Sequence, residues 1–187
     1  MSQKTKESSE SYLSLQEIRK LISSISDMRD KLMIRLLYET GCTLIELVNI
    51  KVSDILGNKI KIFDPETREL RFSRISGKLA KDLSFYIRGN NLSKGYYILS
   101  TRQSKQISEK RVRQLIQDYT KKISSRKINP QMFRYYHIIH AYQNGVLLEN
   151  IAKQTGITPY RVFQIINDFK IKPKQNLYNQ FLSKVGN

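Results

Sequence analysis

The first clear pattern in the chain is a set of apolar residues at helical spacing, Leu15, Ile18, Leu21, Ile22 and Ile25. Side chains three and four positions apart lie on one face of an α-helix and can be buried together. Ser14 and Glu17 stand at the start of this run with the spacing of a capping box, in which each side chain binds a free backbone N–H. The pattern therefore predicts that order begins with an amphipathic helix capped by Ser14.

A second run, at residues 28–38, is too rich in apolar side chains to form a single stripe. A helix that is apolar on most sides is buried, so this helix is predicted to be central. Gly41 is expected to end it, because glycine adopts the left-handed conformation without strain. Thr43 and Glu46 then form a second capping box, ahead of a short helix with apolar residues Leu44, Leu47 and Val48.

Two stretches of β-type composition follow, at residues 59–63 and 69–75. Between them, Asp64 and Pro65 suit the first two positions of a type I turn. The sequence therefore predicts a β-hairpin, and it predicts a further short strand at residues 96–99.

Helical patterns occupy most of the remaining chain, at residues 78–87, 109–123, 130–143 and 147–155. Asn129 is the expected cap of the third of these helices, and Pro130 suits its first position. The predicted fold class is mainly α with a small β-hairpin or sheet.

Residues 147–169 have the spacing of a helix-turn-helix unit. Ala152 is small enough to let a second helix approach, Gly156 supplies the turn, and Val162 seats the second helix on the first. Thr158 is the expected cap of that second helix. Its exposed side chains would be Tyr160, Arg161, Gln164 and Asn167, which can bond phosphates or base edges. An ordinary helical hairpin with a polar face fits the same pattern.

The charge of the chain favours a polyanionic partner. Its 187 residues fit one domain, and 33 Lys and Arg against 16 Asp and Glu give a formal charge of +17. Such self-repulsion is most commonly relieved by nucleic acid phosphates, although a solvated cationic surface is the alternative. The chain has no apolar stretch of membrane-spanning length and its N-terminus has no apolar signal core, so we expect no membrane partner and an intracellular location.

Metal and cofactor chemistry find little support in the composition. The single cysteine, Cys42, lies in an apolar run and is expected to be a buried small hydrophobe. His137 and His140 stand three apart on one predicted helix, but no third ligand is in view, so packing or surface roles are favoured. No metal site and no cofactor are predicted.

The two ends differ in composition from the middle of the chain. Residues 1–11 are mostly Ser, Lys and Glu and are expected to form a disordered tail. Residues 12–169 are the predicted domain. Residues 170–187 carry apolar side chains at helical spacing, so this segment could dock on a second copy or pack on its own domain.

Two stretches carry a resemblance to a known family. Residues 29–55 contain T-G-C-T-L-I-E-L, which resembles the T-G-L-R-x-S-E-L signature of the tyrosine recombinases, the phage integrases and Xer-type enzymes. Residues 128–146 look like the H-x-L-R-H helix and the E-N-G-V turn of that family, and residues 96–102 are similar to its L-F-x-T-R segment. The resemblance covers residues 14–169 and implies the tyrosine-recombinase catalytic-domain fold.

The resemblance also implies a chemistry, in which a tyrosine attacks a DNA phosphodiester while two arginines and other donors stabilise its charge. At the matching positions this chain has Thr43 for the first arginine, Gln131 and Ile157 for two histidines, and Ile166 for the tyrosine. Only Arg134 retains the family residue, and Arg68 is a possible substitute for the hairpin lysine. Because losing one such donor costs about 10²–10³ in rate, we expect no catalysis by this site.

The hypothesis from sequence is a non-catalytic, double-stranded DNA-binding protein with an architectural or regulatory role at the chromosome. It would lack the core-binding domain that precedes the catalytic domain in the family. The expected contact residues are Arg68, Lys78, Arg102, Lys105, Arg111, Arg134, Thr158, Tyr160, Arg161 and Gln164.

Three alternatives stay open. The first is a helix-turn-helix transcription regulator with a defined DNA site. The second is an active recombinase in which Tyr160, or Tyr178 in the tail, is the nucleophile. The third is a partner that modulates an active recombinase by dimerising with it.

Overall fold

The structure is a computed structural model that describes residues 12–101, 105–125 and 127–172. In these ranges a three-stranded sheet is inserted between helices. The helices are α1 (Leu15–Ser24), α2 (Met28–Thr40), α3 (Leu44–Asn49), α4 (Gly77–Gly89), α5 (Glu109–Thr120), α6 (Pro130–Gln143), α7 (Leu148–Thr155) and α8 (Pro159–Asp168), and the strands are β1 (Ile55–Leu56), β2 (Lys59–Phe63) and β3 (Leu70–Arg74). A short 3₁₀ helix, Val52–Asp54, precedes β1. The prediction of a mainly helical domain with a small sheet is confirmed.

The predicted caps begin the helices where the sequence indicated. The Ser14 backbone N–H donates to Glu17 Oε2 at 2.7 Å, and the Glu17 N–H donates to Ser14 Oγ at 3.2 Å. Gly41 ends α2 with φ of 62°, in the left-handed region. Here a side chain would also meet Thr155, because a Cβ on Gly41 would lie 2.7 Å from Thr155 Cγ2.

The α2 helix is central, as predicted. Five of its apolar side chains are fully buried, and the helix contacts α1, α3, α4 and α6. Cys42, just after this helix, is also buried, and burial raises the pKa of its thiol to about 12. The thiol is therefore neutral and packs as a small hydrophobe, as expected.

The hairpin is formed by β2 and β3, antiparallel, with Lys59 opposite Arg74 and Phe63 opposite Leu70. In its turn, the Asp64 Oδ1 atom accepts a hydrogen bond from the Glu66 N–H at 2.8 Å. β1 adds a third strand on the other side of β2. This strand was not predicted, because two residues are too few to show a period.

The prediction of a strand at residues 96–99 is wrong. Tyr97 and Ser100 form only isolated bridges, to Lys51 and Gln106. The segment is extended, and Ile98 and Leu99 are buried. Its backbone hydrogen bonds go to two different short stretches of chain, so no continuous strand ladder forms.

Several other predicted boundaries shift by one to three residues. The α5 helix ends at Thr120 and not at residue 123, because the backbone then closes in three-residue turns, from Lys122 N to Tyr119 O and from Ile123 N to Thr120 O. The third strand ends one residue earlier than predicted, at Arg74.

The last three helices form their own apolar cluster beside the main core. It consists of Ile138, Ile151, Ala152, Val162, Ile165 and Ile166. The two predicted tails, residues 1–11 and most of residues 170–187, lie outside the described residues. Among the residues that the structure describes, no helix has the length and apolar character needed to span a bilayer.

Candidate nucleic-acid interface

Arg134, the family residue retained in the second stretch, projects from α6 and is buried. Asn129 caps the helix by accepting the Met132 N–H at 3.1 Å, and Pro130 opens it. The Arg134 guanidinium donates from Nη2 to the Thr155 carbonyl at 2.5 Å, and so ties α6 to the end of α7. Burial lowers the pKa of Arg134, while the nearby charge of Glu46 raises it.

A second arginine, Arg71, was missed by the sequence reasoning and lies in the same region. It forms a bidentate ion pair with Glu46, with Nη2 and Oε2 2.9 Å apart, and its Nε donates to the Gln154 carbonyl at 3.3 Å. The alternation of inward and outward side chains along β3 could have indicated this contact. Position 71 shares the inward face of the strand with the buried Ser73, and a cation on an inward face needs a buried partner.

Glu46 also fixes Thr43, the residue that the resemblance aligns with the family's first catalytic arginine. Glu46 Oε2 accepts the Thr43 N–H at 2.6 Å, and Thr43 Oγ1 accepts the Glu46 N–H at 3.3 Å. The predicted capping box is confirmed. Thr43 therefore has a structural task as the N-cap of α3.

The resemblance aligns three further residues, Gln131, Ile157 and Ile166, with the family's catalytic set. Gln131 is exposed in the first turn of α6, and Ile157 is half-buried in the turn between α7 and α8. Ile166, at the tyrosine position, is buried in the apolar cluster of the last three helices. Tyr160 lies elsewhere on α8, with its side chain 68% exposed.

The predicted pair of helices at residues 147–169 is present, as α7 and α8. Gly156 links them with φ of 73°, and its missing side chain leaves room for Arg71, whose Nη1 would lie 2.8 Å from a Cβ. Thr158 caps α8 by accepting the Arg161 N–H at 3.2 Å. Ala152 and Val162 are both buried in the apolar cluster, as the spacing predicted.

The candidate contact residues fall into three groups. Thr158, Tyr160 and Arg161 are exposed at the start of α8, with the half-buried Gln164 bonded to Arg161 at 3.1 Å. Exposed cations on other elements form the second group, which consists of Arg68, Lys78, Lys105 and Arg111. Arg134 is apart from both groups because it is buried, and Arg102 lies outside the described residues.

The turn that carries Arg68 is not cationic as a whole. Asp64, Glu66 and Glu69 share it, so three carboxylates surround one guanidinium. Arg68 itself adopts a left-handed backbone, with φ of 60°. The carboxylates weaken the attraction of this tip for phosphates.

The two histidines pack inside the domain. Tyr38 Oη lies 2.9 Å from His140 Nδ1, and the Tyr38 ring meets the His137 ring edge to face. Burial lowers the pKa of His137 to about 4 and lowers that of His140, so both are neutral at pH 7. Within the described ranges no cluster of three or more His, Cys, Asp or Glu could hold a metal ion.

This arrangement of helices around a three-stranded sheet, with Arg134 on α6 ahead of a packed helical pair, is the fold of a tyrosine-recombinase catalytic domain. The chain belongs to the phage integrase family, which it matches over residues 11–164.

Related sequences carry the names of recombinases. The chain is 26% identical over 144 residues to the tyrosine recombinase XerA of Pyrococcus horikoshii, covering 75% of this chain and 50% of the relative. It is 28% identical over 159 residues to XerA of Pyrococcus furiosus, covering 82% of this chain and 55% of the relative. The chain thus spans about half the length of these relatives.

Solved structures show the same fold at lower identity. The XerA recombinase superimposes with a TM-score of 0.75 at 21% identity, covering 92% of this chain and 64% of the other. The XerH recombinase bound to its palindromic difH substrate gives a TM-score of 0.73 at 16% identity, covering 91% and 52%. A lambda integrase dimer bound to a COC′ core site gives 0.68 at 15% identity, covering 88% and 50%.

Proposed function

We propose that this domain binds double-stranded DNA and does not cleave it, serving an architectural or regulatory role at the chromosome. The observation that carries the proposal is the use of the catalytic positions for packing. Thr43 caps α3, and Ile166 is buried in the cluster formed by the last three helices. Neither side chain has the guanidinium or the phenol that the family's chemistry uses at these positions.

The charge of the chain supports the DNA part of the proposal. A formal charge of +17 on 187 residues favours binding to a polyanion. Similar structures include XerH on difH and lambda integrase on a COC′ core site, both complexes with DNA substrates. A duplex held by a related fold would therefore be the polyanion.

The start of α8 is the part of the surface best suited to a DNA groove. Tyr160 and Arg161 are exposed at its N-terminal end, and Thr158 caps it. A helix presented in this way by a helix-turn-helix unit contacts base edges and phosphates through its first turns. Lys78, Lys105 and Arg111 would add contacts to the DNA backbone, as would Arg68 and Arg102.

Arg134 has a different part in this proposal. Its guanidinium is bonded to the Thr155 carbonyl, and its side chain is buried. We infer that it holds α7 in place behind α8, and so acts on DNA binding through the position of that helix.

Duplex binding with a charge-reversal variant tests the proposed surface. Replacing Arg161→Glu should weaken binding of a fluorescent duplex by about tenfold or more, because a phosphate or base contact becomes a repulsion. Lys20→Glu is the matched control, since Lys20 is exposed on α1 and changes the net charge equally. Equal losses in both variants would contradict a specific role for α8.

A suicide DNA substrate with a nick tests the absence of cleavage. The relatives are named as recombinases and Tyr160 is exposed, so an active enzyme is the rival function. We expect no covalent protein–DNA adduct. An adduct that disappears in Tyr160→Phe would overturn the proposal.

Footprinting distinguishes the two non-catalytic roles. An architectural protein should protect DNA with little sequence preference, whereas a transcription regulator should protect a defined, often palindromic site.

A further inference from the structure

The outer face of the sheet, which points away from the core, has no role in the function proposed above. In β2, Ile60 and Ile62 are buried, so the alternate residues point outward. Leu56 from β1 joins that face opposite Lys59. We define the sheet outer face by its seven side chains, Leu56, Lys59, Lys61, Phe63, Leu70, Phe72 and Arg74.

The sheet outer face carries four apolar side chains that are exposed to solvent. Phe72 is 51% exposed and Phe63 is 48% exposed, and Leu56 and Leu70 are exposed to a similar extent. Single exposed apolar residues are common, but a group of four on one sheet face marks a binding surface. Phe63 and Leu70 lie opposite each other, and Phe72 is the diagonal neighbour of Phe63.

Cations lie around the Phe72 ring. Lys61 is directly opposite Phe72, and Arg74 is the next outward residue on the same strand, opposite Lys59. Lys61 Nζ lies 3.4 Å from Asp54 Oδ1, yet the Lys61 side chain remains 43% exposed. Three cations and one carboxylate therefore give this end of the face a positive charge.

The β3 edge of the sheet, which lies beside Phe72, argues against a protein strand as the occupant. Gln154 from α7 covers the β3 backbone at Arg74, accepting the Arg74 N–H at 2.8 Å and donating to the Arg74 carbonyl at 2.7 Å. A partner strand could not pair there without displacing Gln154. On this side of the sheet the outer face remains available, with its rings and charges.

We propose that the sheet outer face binds an unpaired nucleic acid strand, with a base stacked on Phe72 and phosphates beside Lys59, Lys61 and Arg74. Aromatic rings on a sheet, set among cations, are how proteins hold single strands, because an unpaired base offers its π-face to the ring. A duplex offers no such face, since its bases are already stacked. The carboxylates of the hairpin turn, Asp64, Glu66 and Glu69, direct the strand away from the tip.

Fluorescence anisotropy with a labelled oligo-dT of about 12 nucleotides tests the proposal. The full chain should bind this oligonucleotide, and Phe72→Ala should weaken binding by about tenfold, the loss typical for one stacked base. Phe85→Ala is the matched control, because Phe85 is a 69% exposed phenylalanine on α4, away from the sheet. Phe72→Tyr keeps a ring and should keep the affinity. An oligo-U of equal length distinguishes RNA from DNA as the preferred strand.

Three outcomes would overturn the proposal. The first is failure of the wild-type chain to bind either oligonucleotide while it still binds duplex, a result that leaves the proposed duplex function intact. The second is an equal loss of affinity in Phe72→Ala and Phe85→Ala. The third is a change of oligomeric state in Phe72→Ala at unchanged oligonucleotide affinity, which would assign the face to contact between copies. If Phe72→Ala melts at a lower temperature than wild type, the double variant Lys59→Gln with Lys61→Gln takes its place. These changes lie on the surface, so the double variant should weaken oligonucleotide binding without unfolding the domain.

Discussion

At the scale of single residues, Glu46 is the most connected charged side chain of the site. It accepts the Thr43 N–H and pairs with Arg71. Burial lowers the pKa of the Arg134 guanidinium, and the nearby Glu46 charge opposes that shift. One buried carboxylate thus serves two arginines that come from different elements. Without it, both cations would remain inside the protein with no anionic partner of this kind.

We expect Glu46→Gln to destabilise the domain by about 3 kcal/mol, because breaking a buried ion pair leaves its partner charge buried and uncompensated. Urea unfolding followed by circular dichroism measures this change. Glu109→Gln is the control, since Glu109 pairs with Arg113 on the exposed surface of α5, 2.7 Å apart. A surface pair contributes about 0–1 kcal/mol, so equal effects in the two variants would contradict a buried role for Glu46.

The histidines on α6 predict a pH dependence of stability. Burial lowers the pKa of His137 to about 4, below its ordinary 6.5, so the unfolded chain binds the proton more readily. Stability is therefore full above pH 6.5 and falls as the pH decreases toward 4, by about 2 kcal/mol between pH 7 and pH 5. Urea unfolding at these two pH values, in wild type and His137→Gln, checks this. A wild-type loss that persists unchanged in His137→Gln would assign the effect to other groups.

At the scale of elements, the α7–α8 pair depends on one turn. Gly156 has a left-handed backbone, and Arg71 occupies the space where its side chain would be. The turn is therefore shaped by a residue from β3, far away in sequence. This contact couples the sheet, the buried ion pair and the helix proposed to meet DNA.

Gly156→Ala should destabilise the domain by about 1–3 kcal/mol, because it adds strain at positive φ and contacts the Arg71 guanidinium. Gly77→Ala is the matched control. Nothing lies within 4 Å of a Cβ at Gly77, which opens α4. Alanine favours a helix over glycine, so this control should be neutral or slightly stabilising. Thermal melts of both variants measure the difference, and similar losses would exclude the proposed clash.

Element by element, local signals predicted most of the fold. The capping boxes of Ser14 and Thr43 and the left-handed Gly41 mark boundaries through residues only a few positions apart, so they could be read directly. The error at residues 96–99 arose because strand pairing depends on neighbours distant in sequence. β1 was missed for a different reason, since its two residues show no period.

At the scale of the whole molecule, charge dominates the expected behaviour. When a duplex binds to the proposed DNA-contact residues, the phosphates that these residues contact release their counterions. The proposed residues lie on several elements, so their individual contacts should add to one strong dependence on salt.

If about five to eight phosphates are contacted, the logarithm of the duplex affinity should fall with the logarithm of salt concentration at a slope of about −4 to −7. Anisotropy titrations across a series of potassium chloride concentrations measure the slope. Arg161→Glu should lower its magnitude by about 1. A slope near zero would contradict a phosphate-based interface.

The amino-acid order alone determined the helical periods, the caps, the excess of positive charge and the residues that the resemblance aligns with the family's catalytic set. All of these are properties of the residue types and of their close neighbours. Only the tertiary structure decided that Arg71 meets Glu46, that the Arg134 guanidinium is bonded to Thr155, and that one face of the sheet stays uncovered. These contacts join distant parts of the chain, so they depend on how the elements pack. The alternation of β3 indicates that Arg71 points inward, but it does not identify the partner.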